Sequence, residues 1–286
     1  MSQIHDDKVW ELNLQAVKIR EDVIKMLLAA GSGHPAGSLG MADVFTAMYF
    51  HILHHDPKRP DWEDRDRLLL SNGHICPVRY AAMAHVGYFP KEELLTLRKL
   101  GSRLQGHPER MCLPGLESTS GPLGAGLSQG AGLAFSARMD GKKWRTYVVT
   151  SDGEHGAGLH WEAVLFAGKY RLHNLTNIID RNNIQIDGTT EEVMPLEPLK
   201  EKYEAFNWHV IDIDGNDIRQ IIEAVNEAEV ITEKPTCIIA HNTPGQGVSF
   251  MENDHLWHGR APNKEEADQA LAELEKIATR LKSDRS

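Results

Sequence analysis

The fold is decided by two short stretches, YVVTSDGE at 147–154 and LTNIIDRNN at 175–183, and by the segment between them. Each stretch begins with an apolar run typical of a buried strand and ends in polar residues. Residues 159–170 have the apolar spacing of a helix, so the region predicts a strand, a helix and a second strand. A connection of this length makes the two strands parallel neighbours in one sheet.

Asp152 and Asn182 stand just after these two predicted strands. The carboxyl ends of parallel strands meet at one edge of an open α/β sheet, where ligands bind, so we expect the two side chains to lie close together. A carboxylate, an amide oxygen and a nearby backbone carbonyl suit Mg²⁺, which keeps positions for phosphate oxygens and water. The pair therefore predicts a metal that carries a diphosphate. Asp-Gly and Asn-Asn are also common turn residues after strands, and these residues alone leave that alternative open.

The rest of the chain predicts an α/β fold with a doubly wound, mostly parallel sheet and helices on both faces, as one domain over residues 1–286. Further strands are predicted at 67–70, 208–212 and 236–240. Helices are predicted at 9–30, 41–53, 122–138 and 263–281, the last one exposed, and residues 103–120 are predicted to be mostly loop.

Composition excludes several classes of protein. The formal charge of −10 over 286 residues argues against nucleic-acid binding, because no basic patch is available to neutralise phosphates. Three widely spaced cysteines without a C-x-x-C pair indicate neither a disulfide framework nor a zinc site, and they fit a reducing compartment. The polar N-terminus and the lack of an apolar run of roughly 20 residues give no membrane span. We therefore expect a soluble, cytoplasmic protein.

Four histidines lie in glycine or proline contexts in predicted loops: His34, His74, His107 and His258. A lone loop histidine is usually a solvated or hydrogen-bonded surface group. Four in similar settings, in loops that can converge, favour a site that handles protons and hydroxyls near neutral pH.

A glycine-rich segment, GPLGAG at 121–126, opens the helix predicted at 122–138. Glycine lets the backbone approach a ligand closely, and helix N-termini attract anions. No G-K-[ST] follows, so this is not a phosphate-binding P-loop. The chain also lacks the glycine fingerprint and ribose-binding acid of a nicotinamide dehydrogenase. Close helix packing explains Gly130 and Gly132 equally well, and the small residues at 124–137 suit either core packing or a surface where subunits pair.

Together these segments resemble the thiamine-diphosphate-binding half of transketolase, from about residue 12 to 262. The matching motifs are SGHP at 32–35, SNGH at 71–74, GHPE at 106–109, GPLG at 121–124, the Asp-Gly at 152–153 with Asn182, and His-Gly at 258–259. The Asp-Gly to Asn spacing is common to thiamine-diphosphate enzymes. The histidine loops are specific to transketolase and close relatives such as dihydroxyacetone synthase.

The resemblance implies a role for each matching residue. The ligands of Mg²⁺ (or Ca²⁺), which would bridge the cofactor's diphosphate, would be Asp152, Asn182 and the backbone carbonyl of Ile184. The other residues that would shape the cofactor groove are Gly121, Leu123, Gly153 and Ile186. The residues implied to touch the cofactor or the sugar's hydroxyls are His34, His74, His107 and His258. His34 and His258 are implied to stabilise charge or move protons as the donor's C–C bond breaks. Glu162, counted with the cofactor-binding residues, matches a family position that takes part in communication between subunits.

Three residues depart from the family pattern, and none of them removes an implied metal ligand. Ser151 replaces the glycine that usually opens the Asp-Gly motif. Ala157 stands where the family commonly has glutamate, with Glu154 nearby as a substitute. Pro244 replaces an apolar residue that would contact the cofactor.

A full transketolase also has pyrimidine-binding and C-terminal domains, which the resemblance does not match to any part of residues 1–286. We expect them on a C-terminal partner subunit, in an assembly of two copies of each chain (α2β2). The implied reaction transfers a two-carbon ketol unit from a ketose, or its phosphate, to an aldose acceptor. The alternatives are a dihydroxyacetone synthase-like or modified-sugar enzyme, and a catalytically silent binding or regulatory paralogue.

Overall fold

A computed structural model describes residues 4–285. Seven strands are present in this range: β1 (Arg67–Leu70), β2 (Thr146–Ser151), β3 (Leu175–Arg181), β4 (Ile184–Gln185), β5 (Gly188–Thr189), β6 (His209–Asp214) and β7 (Thr236–His241). Five of them form one parallel sheet in the order β1-β2-β3-β7-β6, and β4 and β5 form a small antiparallel hairpin. The parallel sheet predicted from the sequence is confirmed.

Ten α-helices surround the sheet in the same range of residues: α1 (Asp6–Ala30), α2 (Pro35–Gly40), α3 (Ala42–Ala47), α4 (Cys76–Val86), α5 (Ala125–Met139), α6 (Gly158–Tyr170), α7 (Thr190–Val193), α8 (Leu199–Ala205), α9 (Ile218–Val230) and α10 (Lys264–Ser283). Residues 103–120 contain no helix or strand, as predicted. None of the helices described in residues 4–285 combines the length and apolarity needed to cross a membrane.

Successive strand residues point to opposite faces, which divides the core into two layers. Leu69, Val148 and Ile239 pack with α5, α6 and α8 on one face. Leu68 and Val149 pack on the other face, with α1, α3, α4, α9 and α10. A sheet buried on both faces is the arrangement that continuous apolar strands predict.

Glycine brings α5 close to the sheet at one position. A Cβ atom at Gly130 would lie 2.3 Å from Cγ2 of Val148, whereas one at Gly132 would meet nothing within 4 Å. Close packing therefore explains Gly130. Gly132 is on the exposed side of the helix.

Two helix predictions need correction. The helix predicted at 41–53 is instead α2, α3 and a π-helical turn at Met48–Ile52, because Pro35 starts a helix early and the chain turns at Met41. Gly40 packs against the loop after β7, where a Cβ atom would lie 2.9 Å from the Thr243 carbonyl oxygen. The C-terminal helix is not fully exposed, because α10 buries Ala270 and Leu274 in the core layer that contains α1.

Candidate functional site

The candidate site lies at the carboxyl ends of β2 and β3, which are paired through Ser151 and Asp180. A pocket of about 190 Å³ opens at this edge. It is lined by His74, Leu123, Ser151, Asp152, Gly153, Asn182, Ile184, Gln185, Ile186, Asp187 and His258. The two strand ends singled out in the sequence therefore meet in one pocket.

Asp152 is 1% exposed and is held by backbone amides. Its Oδ1 accepts a hydrogen bond from the Gly153 N–H at 2.7 Å, and its Oδ2 accepts one from the Asn183 N–H at 2.7 Å. Burial raises the pKa of this carboxyl to about 6, against the lowering effect of these hydrogen bonds and of Arg181.

Arg181 connects Asp152 to the segment that follows the β4–β5 hairpin. Its Nη1 lies 3.3 Å from Oδ2 of Asp152 and donates to Oγ1 of Thr190 at 2.7 Å. Its Nη2 donates to Glu191 at 3.0 Å and to Glu197 at 2.9 Å. The guanidinium is buried while both glutamates are partly exposed, so one charged group joins the pocket to the outer surface.

Asn182 presents a fixed amide to the pocket. Its Oδ1 accepts a hydrogen bond from the Ile184 N–H at 3.1 Å, and its Nδ2 donates to Oδ2 of Asp180 at 2.9 Å. Asp180 is 1% exposed, and burial together with the charge of Asp152 raises its pKa to about 8.

The oxygen atoms on this wall fit a hard cation. Within residues 4–285, no group of three His, Cys, Asp or Glu side chains is placed to bind a metal. The ligand set implied by the resemblance does not require three such side chains, because it combines the Asp152 carboxylate with the Asn182 amide oxygen and the Ile184 backbone carbonyl. Carboxylate, amide and carbonyl oxygens are the donors that Mg²⁺ and Ca²⁺ take in proteins.

Three histidine rings pack together beside this wall. The ring centroids of His34 and His74 are 4.9 Å apart, those of His74 and His258 are 5.3 Å apart, and those of His34 and His258 are 5.7 Å apart. His34 precedes α2, His74 lies in a 3₁₀ turn after β1, and His258 follows another 3₁₀ turn. His107 is adjacent, since its Cδ2 would lie 3.1 Å from a Cβ atom at Gly73.

Burial keeps this cluster neutral near pH 7. It lowers the pKa of His34 to about 4, with added repulsion from His258, Arg98 and His107. Burial lowers the pKa of His74 well below its ordinary value and also lowers the pKa values of His258 and His107. A neutral imidazole carries one donor and one acceptor nitrogen, so each ring can both give and take a proton.

Orphaned polar atoms lie beside the cluster. Nδ1 of His34 and both amide atoms of Asn72 are buried without a hydrogen-bond partner in the described part of the chain. Buried polar groups are normally paired, so these atoms are available to hydrogen-bond a polar ligand or water. Asn72 lies two residues before His74, which lines the pocket.

Some of the residues implied to shape the cofactor groove line the pocket, and others do not. Leu123 is 46% exposed and Ile186 is 70% exposed, and both lie on the pocket rim. Gly121 has a φ of 137°, which favours glycine, and contacts the His107 loop rather than lining the pocket. Pro244 is buried beside Gly40 and does not line the pocket.

Glu162 is not in this pocket. It is exposed on the outer face of α6, where it lines a separate groove of about 270 Å³ with Ser128, Gly132 and Phe166. The structure therefore separates Glu162 from the other implied cofactor-binding residues.

Sequence reasoning missed two residues that line the pocket, and it named Glu154 only as a substitute for the glutamate that the family has at position 157. Gln185 and Asp187 line the pocket from the β4–β5 hairpin, whose two-residue turn is Ile186-Asp187 and which the alternation of apolar and polar residues at 184–187 could have indicated. Glu154 is buried behind it, where it accepts a hydrogen bond from Oγ of Ser71 at 2.6 Å and lies 3.9 Å from Nδ1 of His160. Burial raises the pKa of Glu154 to about 7.

A larger cavity lies at the other end of the sheet. It measures about 710 Å³ and is lined by charged residues near the starts of β1 and β2, including Asp66, Lys142 and Arg145. None of the residues implicated by the sequence lines it, so size alone does not identify the site.

Comparison with known proteins identifies the family. A family model described as "Transketolase, thiamine diphosphate binding domain" matches residues 13–276. The chain belongs to the transketolase family. The resemblance stated from its motifs is confirmed, and the matched domain is the one that binds thiamine diphosphate.

Two relatives are separate subunits of similar length. The chain is 38% identical to an apulose-4-phosphate transketolase subunit of Phocaeicola vulgatus, over 97% of this chain and 98% of that protein. It is 41% identical to the 6-deoxy-6-sulfo-D-fructose transketolase subunit SqwG of a Clostridium species, over 93% of this chain and 97% of that protein.

Solved transketolases are longer proteins. The Campylobacter jejuni transketolase matches with a TM-score of 0.87 and 34% identity, covering 92% of this chain and 42% of that one. The Leishmania mexicana transketolase matches with a TM-score of 0.85 and 31% identity, covering 96% of this chain and 45% of that one. The chain thus spans less than half the length of these solved transketolases.

Proposed function

We propose that this chain is the thiamine-diphosphate-binding subunit of a two-chain transketolase, which transfers a two-carbon ketol unit from a ketose to an aldose acceptor. The observation that carries the proposal is the position of three partly buried histidines, in contact with one another, beside the pocket that contains Asp152 and Asn182. Family membership alone would not require such a cluster to be intact.

In this proposal the metal is Mg²⁺ (or Ca²⁺), held by the Asp152 carboxylate, Oδ1 of Asn182 and the carbonyl oxygen of Ile184. These atoms belong to residues that line one wall of the pocket. Thiamine diphosphate, when bound, supplies the carbanion chemistry that breaks and forms the C–C bond. The exposed apolar rim at Leu123 and Ile186 would cover the cofactor on the solvent side.

The histidines would bind and orient the sugar. Each neutral ring can donate to a sugar oxygen or accept from a sugar hydroxyl. His34 and His258, whose centroids are 5.7 Å apart, would move a proton to and from the oxygen at the reacting carbon. His74 and His107 would hold neighbouring hydroxyls or the cofactor. Gly121 lies next to this arrangement, since a Cβ atom there would be 3.9 Å from Cδ2 of His107.

We also propose a C-terminal partner subunit that carries the pyrimidine-binding and C-terminal domains. The support is that similar chains of the same length are named as single subunits of a transketolase. An α2β2 assembly would bury the exposed apolar side chains of α6, among them Leu165 at 57% and Phe166 at 36% exposure. Glu162 lies in the same groove and would then act at the interface between subunits. All three cysteines are free, which agrees with the cytoplasm as the location.

A modified sugar is a second candidate for the substrate. Two similar subunits are named for unusual sugars, one bearing a phosphate and the other a sulfonate. An ordinary ketose phosphate and a modified ketose would use the same histidines for the reacting carbons, and the remainder of the sugar would distinguish them.

The test is transfer by the complex of this chain with its partner subunit, in the presence of thiamine diphosphate and Mg²⁺. Ketose donors with phosphate, sulfonate and neutral ends would be compared with one aldose acceptor. Transfer that is lost in His258→Ala but retained in the exposed control His255→Ala would support the proposal. A complex that binds the cofactor and turns over none of the donors would instead indicate a catalytically silent paralogue.

A further inference from the structure

Asp180 is a buried carboxylate at the end of β3 that the proposed mechanism does not use. Two neutral amides are its side-chain donors: Nδ2 of Asn182 at 2.9 Å to Oδ2, and Nδ2 of Asn242 at 3.0 Å to Oδ1. No lysine, arginine or histidine within residues 4–285 forms an ion pair with it. Burying an acidic side chain without a cation is unfavourable for folding whether the group is ionised or neutral, so its presence needs another reason.

The hydrogen bond to Asn182 determines which end of the amide faces the pocket. The oxygen and nitrogen ends of an asparagine amide have nearly the same shape, but only the oxygen can bind a cation. With Nδ2 directed at Asp180, Oδ1 is turned the other way, where it accepts from the Ile184 N–H at 3.1 Å. The flipped amide would lose the hydrogen bond from the Ile184 N–H and turn its own N–H groups toward that donor, which is unfavourable.

Asp180 is itself held in place from the neighbouring strand. Nδ2 of Asn242, just after β7, donates both to Asp180 and to the Ala240 carbonyl at 3.0 Å. Helix α2 covers the carboxylate, since a Cβ atom at Gly37 would lie 3.7 Å from Oδ2 of Asp180. The Asp180 side chain is therefore held in one position beneath the pocket by Asn242 and by helix α2.

We infer that Asp180 is a positioning residue that holds the Asn182 amide with Oδ1 available to a divalent cation. The inference rests on the proposed function, because it presumes that Asn182 is a metal ligand. It assigns to Asp180 no contact with the metal, the cofactor or the sugar. Partners that orient metal ligands typically change metal affinity by about 10- to 100-fold when they are replaced.

The test compares Asp180→Asn with the wild type, each in complex with its partner. The dissociation constant of thiamine diphosphate is measured by calorimetry across a Mg²⁺ titration, and Mn²⁺ is used as a spectroscopic probe by electron paramagnetic resonance. We expect the Mg²⁺ concentration for half-maximal cofactor binding to rise about 10- to 100-fold and the Mn²⁺ spectrum to change. Excess Mg²⁺ should restore cofactor binding.

Asp43→Asn is the matched control, because Asp43 is also a buried carboxylate but pairs with Arg20 and does not line the pocket. It should lower stability and leave the Mg²⁺ dependence unchanged. If Asp180→Asn does not fold, Asn242→Ala loosens the same carboxylate and should give a smaller shift in the same direction.

The outcomes separate the two proposals. Wild-type complex without metal-dependent cofactor binding would overturn the proposed metal site itself. Wild type with such dependence, and a folded Asp180→Asn (or Asn242→Ala in its place) with the same Mg²⁺ requirement, would overturn only the positioning role of Asp180.

Discussion

Protonation of the histidine cluster should destabilise the fold in mild acid, and His34 should account for a measurable share of the effect. The folded state holds the pKa of His34 at about 4 by burial, whereas an unfolded chain has the ordinary value of 6.5. Between these values the unfolded state binds more protons, so the free energy of unfolding falls as pH falls through this window. Above the pKa of the unfolded chain, His34 is neutral in both states and has no effect on the free energy of unfolding.

The magnitude follows from the two pKa values. On going from about pH 7.5 to about pH 5, the unfolded imidazole becomes almost fully protonated while the folded one stays mostly neutral, which corresponds to about 2 kcal/mol. His34 is partly exposed, and solvent screening reduces this to about 1 kcal/mol. Repulsion from His258, Arg98 and His107 acts in the same direction as burial.

Urea unfolding of the purified chain at the two pH values measures this quantity. His34→Gln should lose about 1 kcal/mol less stability than the wild type between about pH 7.5 and about pH 5. Groups that titrate in both proteins cancel in the comparison. His255→Gln, which is exposed and outside the cluster, controls for the substitution itself. Equal losses in the wild type and in His34→Gln would refute the argument that His34 is held neutral by its surroundings.

Three further predictions concern the metal, the charge near the cluster and the packing of α5. Asp152→Asn should weaken Mg²⁺-dependent cofactor binding at least 10-fold, measured by calorimetry, because it removes the only carboxylate of the proposed ligand set; unchanged affinity would contradict that set. Arg98→Ala should raise the pKa of His34, measured by NMR titration, because the arginine's charge lowers it; an unchanged titration would show that the charge of Arg98 does not contribute. Gly130→Ala should destabilise by about 1–3 kcal/mol through its clash with the sheet, whereas Gly132→Ala should stabilise α5 by up to about 1 kcal/mol. Urea unfolding measures both, and equal effects would contradict the close packing at Gly130.

The sequence predicts the parallel sheet well because each central strand is a short apolar run followed by a polar turn. That local pattern also places Asp152 and Asn182 at one edge, since parallel strands end on the same side. The four histidines are recognised as a group by their similar settings and by the family resemblance. Their mutual distances depend on loops that no periodic pattern describes.

The rest of the site depends on contacts between segments far apart in the chain. Asp180 and Arg181 look like the end of a strand in the sequence, and nothing local shows that one would meet Asn242 and the other Asp152. The family resemblance gives Glu162 a part in communication between subunits, and the helical turn carries this residue to the outer face of α6. The role of Glu162 depends on whether the outer face of α6 pairs with another chain, and the sequence of one chain does not show this.

Arg181 contacts four side chains, one in the pocket and three in the segment after the β4–β5 hairpin, and this affects how a ligand reaches the pocket. Lifting the segment after the β4–β5 hairpin would break the bonds to Thr190, Glu191 and Glu197 together, and charge-assisted bonds of this kind are among the stronger ones in proteins. The segment after the β4–β5 hairpin is therefore held rigidly next to the pocket. A ligand that enters past the exposed rim near Leu123 and Ile186 leaves all of these bonds intact.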